Sequence, residues 1–341
     1  MSADSASRPV PTVSVGIPVR DGGELFGGVL RALARQSVDH ELVICDSGSS
    51  DGSVDLAREH GATVIEIPHS LFSHGGVRNR LMDATSGAHV ALLSQDSEPA
   101  DERWLERLLE GFGLAPDVAI VYGPYRPRPD APAPVRYELE RWFASLSEDG
   151  VPRVERLAAH ERSAPTLELI GRRGFLSDAN ACVWRPAWER VPFREVSSAE
   201  DRVLAIDMMR AGYAKAFVPE AAVIHSHDYT TGEQLRRCFD EWRALLEVYG
   251  WREPASPVRL LGQLRGAVGH ARRELGREGA SRGRRGATLA AVGRHQTVCL
   301  AGALLGSRAD RIPAAARRRL SLERRGGFAA LDLDKDGPRH R

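Results

Sequence analysis

Apolar and polar positions along this chain switch repeatedly between two periods. Residues 13–17 form a short apolar run ending at Pro18, the mark of a buried strand that passes into a loop. Residues 24–35 then place Leu25, Val29, Leu30 and Leu33 at helical spacing. Residues 42–45 predict a second buried strand, closed by the turn-rich Asp46-Ser47-Gly48-Ser49-Ser50-Asp51, with a helix following to about residue 59. Residues 63–67, 75–85 and 90–93 read as strand, helix and strand, and the last runs straight into Ser94-Gln95-Asp96. Such alternation implies a parallel sheet with helices on both faces, in which ligands bind beyond the carboxyl ends of the strands. Three polar clusters lie at those ends.

After another apolar run at residues 118–122 the pattern breaks. Residues 123–134 hold five prolines, which disfavour helix and central strand, so a loop is predicted there. An amphipathic helix follows over residues 135–146, and residues 147–173 carry no readable period. Residues 177–184 return to order, followed by a helix over 199–211, strands near 214–218 and 222–225, and a helix over 231–249. Leu235, Cys238, Phe239, Trp242, Leu245, Leu246 and Tyr249 share one face of that last helix, a packing stripe that Gly250 ends. Beyond Pro257 the chain is helical and Arg-rich, weakened by Gly266, Gly269, Gly276, Gly279, Gly283 and Gly286, with a frayed end.

At 341 residues the chain is long enough for one large α/β domain with an appendage. Its 42% hydrophobic and 27% charged content excludes a wholly disordered or fibrous chain. The net charge of +1 hides an asymmetry: residues 251–341 hold 20 Arg and Lys against 8 Asp and Glu, and residues 1–250 hold 27 against 38. A basic helical tail can meet anionic lipid, nucleic acid or the acidic body of the molecule, and charge does not choose among them. It lacks the interleaved aromatics of a nucleic-acid binder, and no nucleic-acid partner is expected. Cys45, Cys182, Cys238 and Cys299 are widely spaced, which suggests neither a zinc knuckle nor a disulfide framework and fits a reducing cytoplasm. Residues 1–11 are polar and read as disordered, with no apolar signal core. No window reads as a membrane span, since Arg294 and His295 interrupt the most apolar stretch, residues 287–306.

Four clusters are candidates for chemistry, each with an ordinary structural alternative. Asp96, at the end of a buried strand, either caps a helix beginning near Ala100 or ligates a hard cation such as Mg²⁺ or Mn²⁺. Glu200 and Asp201 begin a helix, where acids commonly complement the dipole. In His225-Ser226-His227-Asp228 strand alternation points both imidazoles the same way, towards a metal or into the structure. In Phe72-Ser73-His74-Gly75-Gly76-Val77-Arg78-Asn79 the glycines permit close backbone approach and Arg78 can pair with phosphate; the alternative is a turn into a helix with a solvated Arg.

The order of these clusters resembles that of the inverting family 2 glycosyltransferases, within them the bacterial rhamnosyltransferase-like members. The resemblance spans about residues 12–250 and rests on Ile17-Pro18-Val19-Arg20, the Asp46–Asp51 loop, His74-Gly75-Gly76-Val77-Arg78-Asn79, Ser94-Gln95-Asp96, Glu200-Asp201 and His225-Ser226-His227. It implies a GT-A fold: an α/β, Rossmann-like mixed sheet flanked by helices, here with a basic helical C-terminal extension over residues 251–341. Residues 12–123 would form the nucleotide-sugar half and residues 124–250 the acceptor and catalytic half.

Carried across by resemblance, Pro18, Arg20, Asp46, Ser47, Gly48, Arg78, Asn79, Gln95 and Asp96 bind the nucleotide sugar, and Asp178, Asn180 and Trp184 the acceptor. Asp201 is the general base, with Glu200 beside it. Asp96 matches the second acid of the family's Asp-x-Asp metal motif, whose first acid is here Ser94; His225 is the preferred further metal ligand and His227 the second choice. The implied activity is inverting transfer of rhamnose or another hexose from a dTDP- or UDP-linked donor to a glycan or lipid-linked glycan, with Mg²⁺ or Mn²⁺ as cofactor. The protein is then expected in the cytoplasm, its basic tail able to touch the anionic inner membrane face. The competing readings are a catalytically silent nucleotide-sugar binder, because of Ser94, and a nucleotidyltransferase, for which Arg20-Asp21-Gly22-Gly23 is a faint match.

Overall fold

A computed structural model describes residues 13–147 and 149–331; the expectations for residues 1–11 and for the end of the tail from 332 fall outside the described residues. The first part follows the alternation: β1 (Val13–Val19), α1 (Gly23–Leu33), β2 (Glu41–Asp46), α2 (Ser53–Glu59), β3 (Thr63–Glu66), α3 (His74–Ala84) and β4 (His89–Leu93). Then come β5 (Glu98–Pro99), α4 (Trp104–Gly111), β6 (Val118–Tyr122), β7 (Tyr125–Arg126), α5 (Ala133–Leu146), β8 (Arg153–Glu155), α6 (Leu167–Arg173), β9 (Asn180–Trp184) and α7 (Arg185–Arg190). The chain continues through α8 (Glu200–Arg210), β10 (Ala214–Phe217), β11 (Val223–Ile224), α9 (Thr231–Tyr249), α10 (Pro257–Arg277), α11 (Arg282–Gly306) and α12 (Ala314–Leu320). The unreadable stretch after residue 146 contains β8 and α6, elements of three and seven residues, too short to display a period.

Eight strands form one sheet in the order β3-β2-β1-β4-β9-β6-β10-β8. Strands β3, β2, β1 and β4 are mutually parallel, and so are β6 and β10. Between the two groups β9 runs antiparallel to both β4 and β6, and β8 closes the edge antiparallel to β10. The sheet is therefore mixed, as the GT-A resemblance implied, and not the wholly parallel sheet that alternation alone implied. The inner strands are mostly apolar because helices cover both faces: Val13, Val15 and Ile17 of β1 pack in one core, and Val90 and Leu92 of β4 in the other.

A second sheet of only three short strands, in the order β5-β11-β7, decides where the chemistry sits. Val223 pairs with Pro99 and with Tyr125, and Ile224 with Glu98 and with Arg126. The segment after Asp96, the proline-rich segment and the strand leading into His225 are thereby laced together by backbone hydrogen bonds. The proline-rich loop is thus partly ordered as β7, and α5 begins within it at Ala133.

Helix α9 carries the predicted stripe, with Cys238, Phe239, Leu245, Leu246 and Tyr249 buried, and ends at Gly250 with a left-handed φ of 66°. Helix α11 lies on this stripe at backbone-contact range. A Cβ added to Gly302 would come within 2.7 Å of the Cys238 Cβ, and one added to Gly306 within 2.3 Å of the Phe239 carbonyl oxygen. Helix α10 persists through its glycines because Ala267, Ala271 and Leu275 pack with Tyr137 of α5. Among the described residues no helix is long and apolar enough to cross a membrane.

Candidate active site

The loops after β1 and β2 close on one another through their own polar groups. Asp46 accepts the backbone N–H groups of Gly48 at 2.9 Å and Ser49 at 3.0 Å, as well as the Ser49 hydroxyl. Ser47 donates its backbone N–H to the Val19 carbonyl at 3.0 Å. Across the gap, Asp21 accepts from the Ser50 N–H at 2.8 Å, and Asp51 from the Gly23 N–H at 2.8 Å. Asp46 and Ser47 are buried and committed to this framework, so they shape the Gly48 turn instead of presenting free side chains. The Gln95 amide clasps the Arg20 backbone from the β4 side, accepting its N–H at 2.7 Å and donating to its carbonyl at 3.1 Å. The Arg20 guanidinium remains exposed beside His69, at 2.8 Å, while Pro18 sits partly buried opposite Cys45.

Asp96 caps no helix: a strand follows it, and α4 begins only at Trp104. Its carboxylate faces two imidazoles, with His225 Nδ1 3.4 Å from Oδ1 and His227 Nδ1 3.8 Å from Oδ2. One ligand atom from each of the three lies within 4.8 Å of the others. Burial opposes ionisation of Asp96, but the imidazoles, the Ser94 hydroxyl at 2.9 Å and Arg128 outweigh it and hold its pKa below the usual carboxylate value. Burial lowers both histidines, His227 to about 4, aided there by His225. At neutral pH the trio is one carboxylate and two neutral imidazoles, the protonation state that a divalent cation requires. Ser94, in place of the first acid, donates to Asp96 and adds no second charge.

Arg128 is a functional neighbour that the sequence did not reveal. Its guanidinium donates to the Asp96 carbonyl at 2.7 Å and to the Ser226 carbonyl, while its backbone N–H donates to the Ser226 hydroxyl at 3.1 Å. One side chain thus fixes both halves of the trio. It lies in the proline-rich loop, where no periodicity marks it.

On the other side of the site, Arg78 is buried and engaged. It forms a two-pronged pair with Asp178, at 2.7 and 2.9 Å, and donates to the Leu93 carbonyl at 3.0 Å, three residues before Asp96. Asp178 in turn stands beside Asp201, whose carboxylate accepts the Asp178 backbone N–H. Burial, then the charge of Asp178, push the pKa of Asp201 up to about 7. Glu200 is raised well above the usual value by its burial and by the charges of Asp178 and Asp201. Its carboxyl lies 3.8 Å from His74 Nδ1. Both acids open α8, and the residue before them, Ala199, holds a left-handed φ of 64°, which turns the chain sharply into the helix.

Tyr125 joins the two sides. Its ring meets His225 edge-on at 4.8 Å, its hydroxyl bonds Ser177, and after burial the charges of Asp201, Asp178 and Asp96 all raise its pKa. The imidazole at 225 thus lies against the tyrosine ring, and the carboxylates at 96, 178 and 201 are near enough for their charges to act on its hydroxyl.

Four of the sequence-derived positions play other parts. Arg78 is committed to Asp178 and the Leu93 carbonyl through three of its five N–H groups. Asn79 spends its side chain on the backbone of Phe193, at 2.9 and 3.0 Å, and on the Trp188 indole at 2.9 Å, so it ties α3 to the chain before α8. Asn180 is completely buried, accepting from Trp104 at 2.8 Å and donating to the carbonyls of Pro124 and Ala221. Trp184 pairs with His89, at the far end of β4 from Asp96, because β9 runs antiparallel. Gly75 serves close approach as expected, but to protein: a Cβ there would fall 2.1 Å from the Arg194 carbonyl oxygen.

Comparison with known proteins gives the family and the fold. Residues 14–162 match glycosyl transferase family 2. The chain is 34% identical to an O-antigen chain rhamnosyltransferase of Salmonella typhimurium over 66% of this chain and 69% of the relative. It is 32% identical to an O-antigen chain rhamnosyltransferase of Salmonella anatum over 59% of this chain and 61% of the relative. Among solved structures, a mannosyltransferase from Pyrobaculum calidifontis in complex with GDP-Man and Mn²⁺ superposes with a TM-score of 0.56 and 17% identity, covering 89% of this chain and 87% of that one. That likeness establishes the shared fold.

The Arg78–Asp178 pair predicts a stability effect. Arg78→Ala leaves a buried carboxylate unpaired and is expected to lower unfolding stability by about 3–5 kcal/mol. Urea denaturation checks it, and a loss below about 1 kcal/mol, the scale of an exposed pair, would contradict the buried role.

Proposed function

The chain belongs to glycosyl transferase family 2, and from that premise we propose that it moves a rhamnosyl or related hexosyl group from a dTDP- or UDP-linked donor to a hydroxyl of a glycan or lipid-linked glycan, inverting the anomeric centre. The observation that carries the reading is the cluster of Asp96 with His225 and His227, whose ligand atoms lie within 4.8 Å of one another, with the raised carboxyl of Asp201 acting electrostatically on Tyr125, whose ring His225 touches.

Asp201 is the general base. A sugar hydroxyl is a poor nucleophile until its proton is taken as the new bond forms, and a carboxyl tuned near pH 7 accepts that proton with about a hundred- to ten-thousand-fold benefit. The acceptor oxygen attacks the anomeric carbon, its proton passes to Asp201, and the diphosphate leaves from the opposite face. Glu200 beside it, its pKa raised by burial and by the charges of Asp178 and Asp201, is the weaker candidate because it is closed in behind His74. Asp96, His225 and His227 offer one oxygen and two nitrogen donors, a set that suits Mn²⁺ better than Mg²⁺. A divalent cation bound there would neutralise charge on the departing diphosphate. The exposed Arg20 guanidinium and the Gly48 turn lie at the strand ends where the nucleotide would rest. The names of the two Salmonella relatives favour rhamnose as the sugar and a growing polysaccharide as the acceptor.

The exposed arginines of α10 and α11, among them Arg265, Arg272, Arg273, Arg282 and Arg285, support peripheral contact with anionic lipid, reinforced by Val258, 82% exposed, and Leu261 at the start of α10. Such contact would place the site beside a lipid-linked acceptor.

Thermal-shift screening of nucleotide-diphosphate sugars with and without Mn²⁺, paired with a transfer assay, tests the enzyme reading. Asp201→Asn is expected to keep the donor-induced shift and lose transfer by about a hundredfold or more. Asp96→Ala is expected to erase the metal-dependent part of the shift. A product that NMR shows to retain the donor's anomeric configuration would remove the single-displacement mechanism.

Because the base works only when ionised, kcat/KM is expected to be level above its pKa and to drop tenfold per pH unit below about 7. Removing the neighbouring charge with Asp178→Asn lowers that pKa, so the acid limb should move to lower pH. An unmoved limb would deny Asp201 the role. For the tail, co-flotation with phosphatidylglycerol vesicles at low salt and its loss at high salt is the expected result, and no flotation at either salt rejects membrane contact.

A further inference from the structure

Four potential metal donors meet where α11 lies on the rest of the molecule, sharing no residue with the site above. His295 Nε2 of α11 is 2.8 Å from Glu138 Oε2 of α5. Ligand atoms of Glu138, His295 and Cys299 all lie within 4.8 Å of one another. The Cys299 thiol is in hydrogen-bonding contact with that of Cys238 on α9. The Gln234 amide nitrogen reaches both sulfurs, at 3.4 and 3.3 Å.

The arrangement follows from helical geometry. His295 and Cys299 are one turn apart on α11 and project on the same face. Gly302, one turn beyond, lets α11 approach α9 closely enough to bring Cys299 against Cys238. Both cysteines are buried, whereas the Glu138 side chain is 39% exposed and leaves a path from solvent.

We propose that Cys238, Cys299, His295 and Glu138 form a structural zinc site that fastens α11 to α9 and α5. Two sulfurs, one imidazole nitrogen and one carboxylate oxygen make a complete tetrahedral set, and a full set of protein ligands marks a structural site over a catalytic one. The ligand atoms of Glu138, His295 and Cys299, within 4.8 Å of one another, need to close by about 1–1.5 Å, since bonds of about 2.0–2.3 Å separate tetrahedral ligands by about 3.3–3.8 Å, and Cys238 joins them through its contact with Cys299. Sulfur selects a soft cation, so this site and the Asp96 trio take different metals. On binding, each thiol releases its proton to solvent as the zinc–sulfur bond forms, and Gln234 donates to the resulting thiolates. The wide sequence spacing of the cysteines conceals this set, which only the docking of α11 assembles.

Metal analysis of the full-length protein, purified under reducing conditions without chelator, tests the proposal. About one zinc per chain is expected, kept in Asp96→Ala and lost from Cys299→Ser and His295→Ala. Because a buried variant can unfold for other reasons, cobalt titration of the wild-type chain provides a second readout. Retained cobalt should give the intense visible bands of a tetrahedral site together with a thiolate charge-transfer band. Chelation should lower the melting temperature. A wild-type chain with no tightly held zinc and no charge-transfer band, or with Cys238 and Cys299 joined as a disulfide in the reduced preparation, overturns the site.

Discussion

The buried pair between Arg78 and Asp178 is the constraint on which the candidate site depends. A guanidinium taken out of water must be matched, and Arg78 is matched by two carboxylate oxygens and the last carbonyl of β4. Through that single side chain, α3, the end of β4 and the segment before β9 hold fixed positions. The Asp178 so held raises Asp201, which draws its proton affinity from the same charge that satisfies the arginine. Structural anchoring and the tuning of the base are therefore one arrangement.

A second anchor, Arg128, does for the imidazole side what Arg78 does for the carboxylate side, and the three-stranded β5-β11-β7 sheet carries both His225 and Arg128 to Asp96. The large sheet places its strand ends along one edge, but it does not order the loops there. Arginine forks and short backbone ladders do that, with geometry rigid enough to hold loops that lack hydrophobic content.

Much of the fold was legible because its first strands and helices are long enough to show their period. Residues 118–122 and 231–249 coincide with β6 and α9 for that reason. The direction of β9 was not legible, since an apolar run reads the same in either direction. Asp96, His225, His227 and Asp201 stood out as acids and imidazoles at element boundaries. Asn79 and Asn180 stood in the same motifs, yet they serve to satisfy backbone groups: an amide that can bind a ligand can equally tie down a loop, and sequence does not separate the two. Arg128 and the Cys238–Cys299 contact depend on distant segments meeting, which no local pattern records.

The left-handed residue that leads into α8 limits what evolution can write next to the base. A side chain bearing a Cβ in that conformation carries about 1–2 kcal/mol of steric penalty, and branching at Cβ makes it worse. Glycine, asparagine or aspartate, which enter the left-handed region most readily, are the natural substitutes at Ala199's position. Lineages that diverge everywhere around the acceptor should therefore draw on this narrow alphabet just ahead of Glu200-Asp201, a constraint set by backbone geometry and independent of which sugar is transferred.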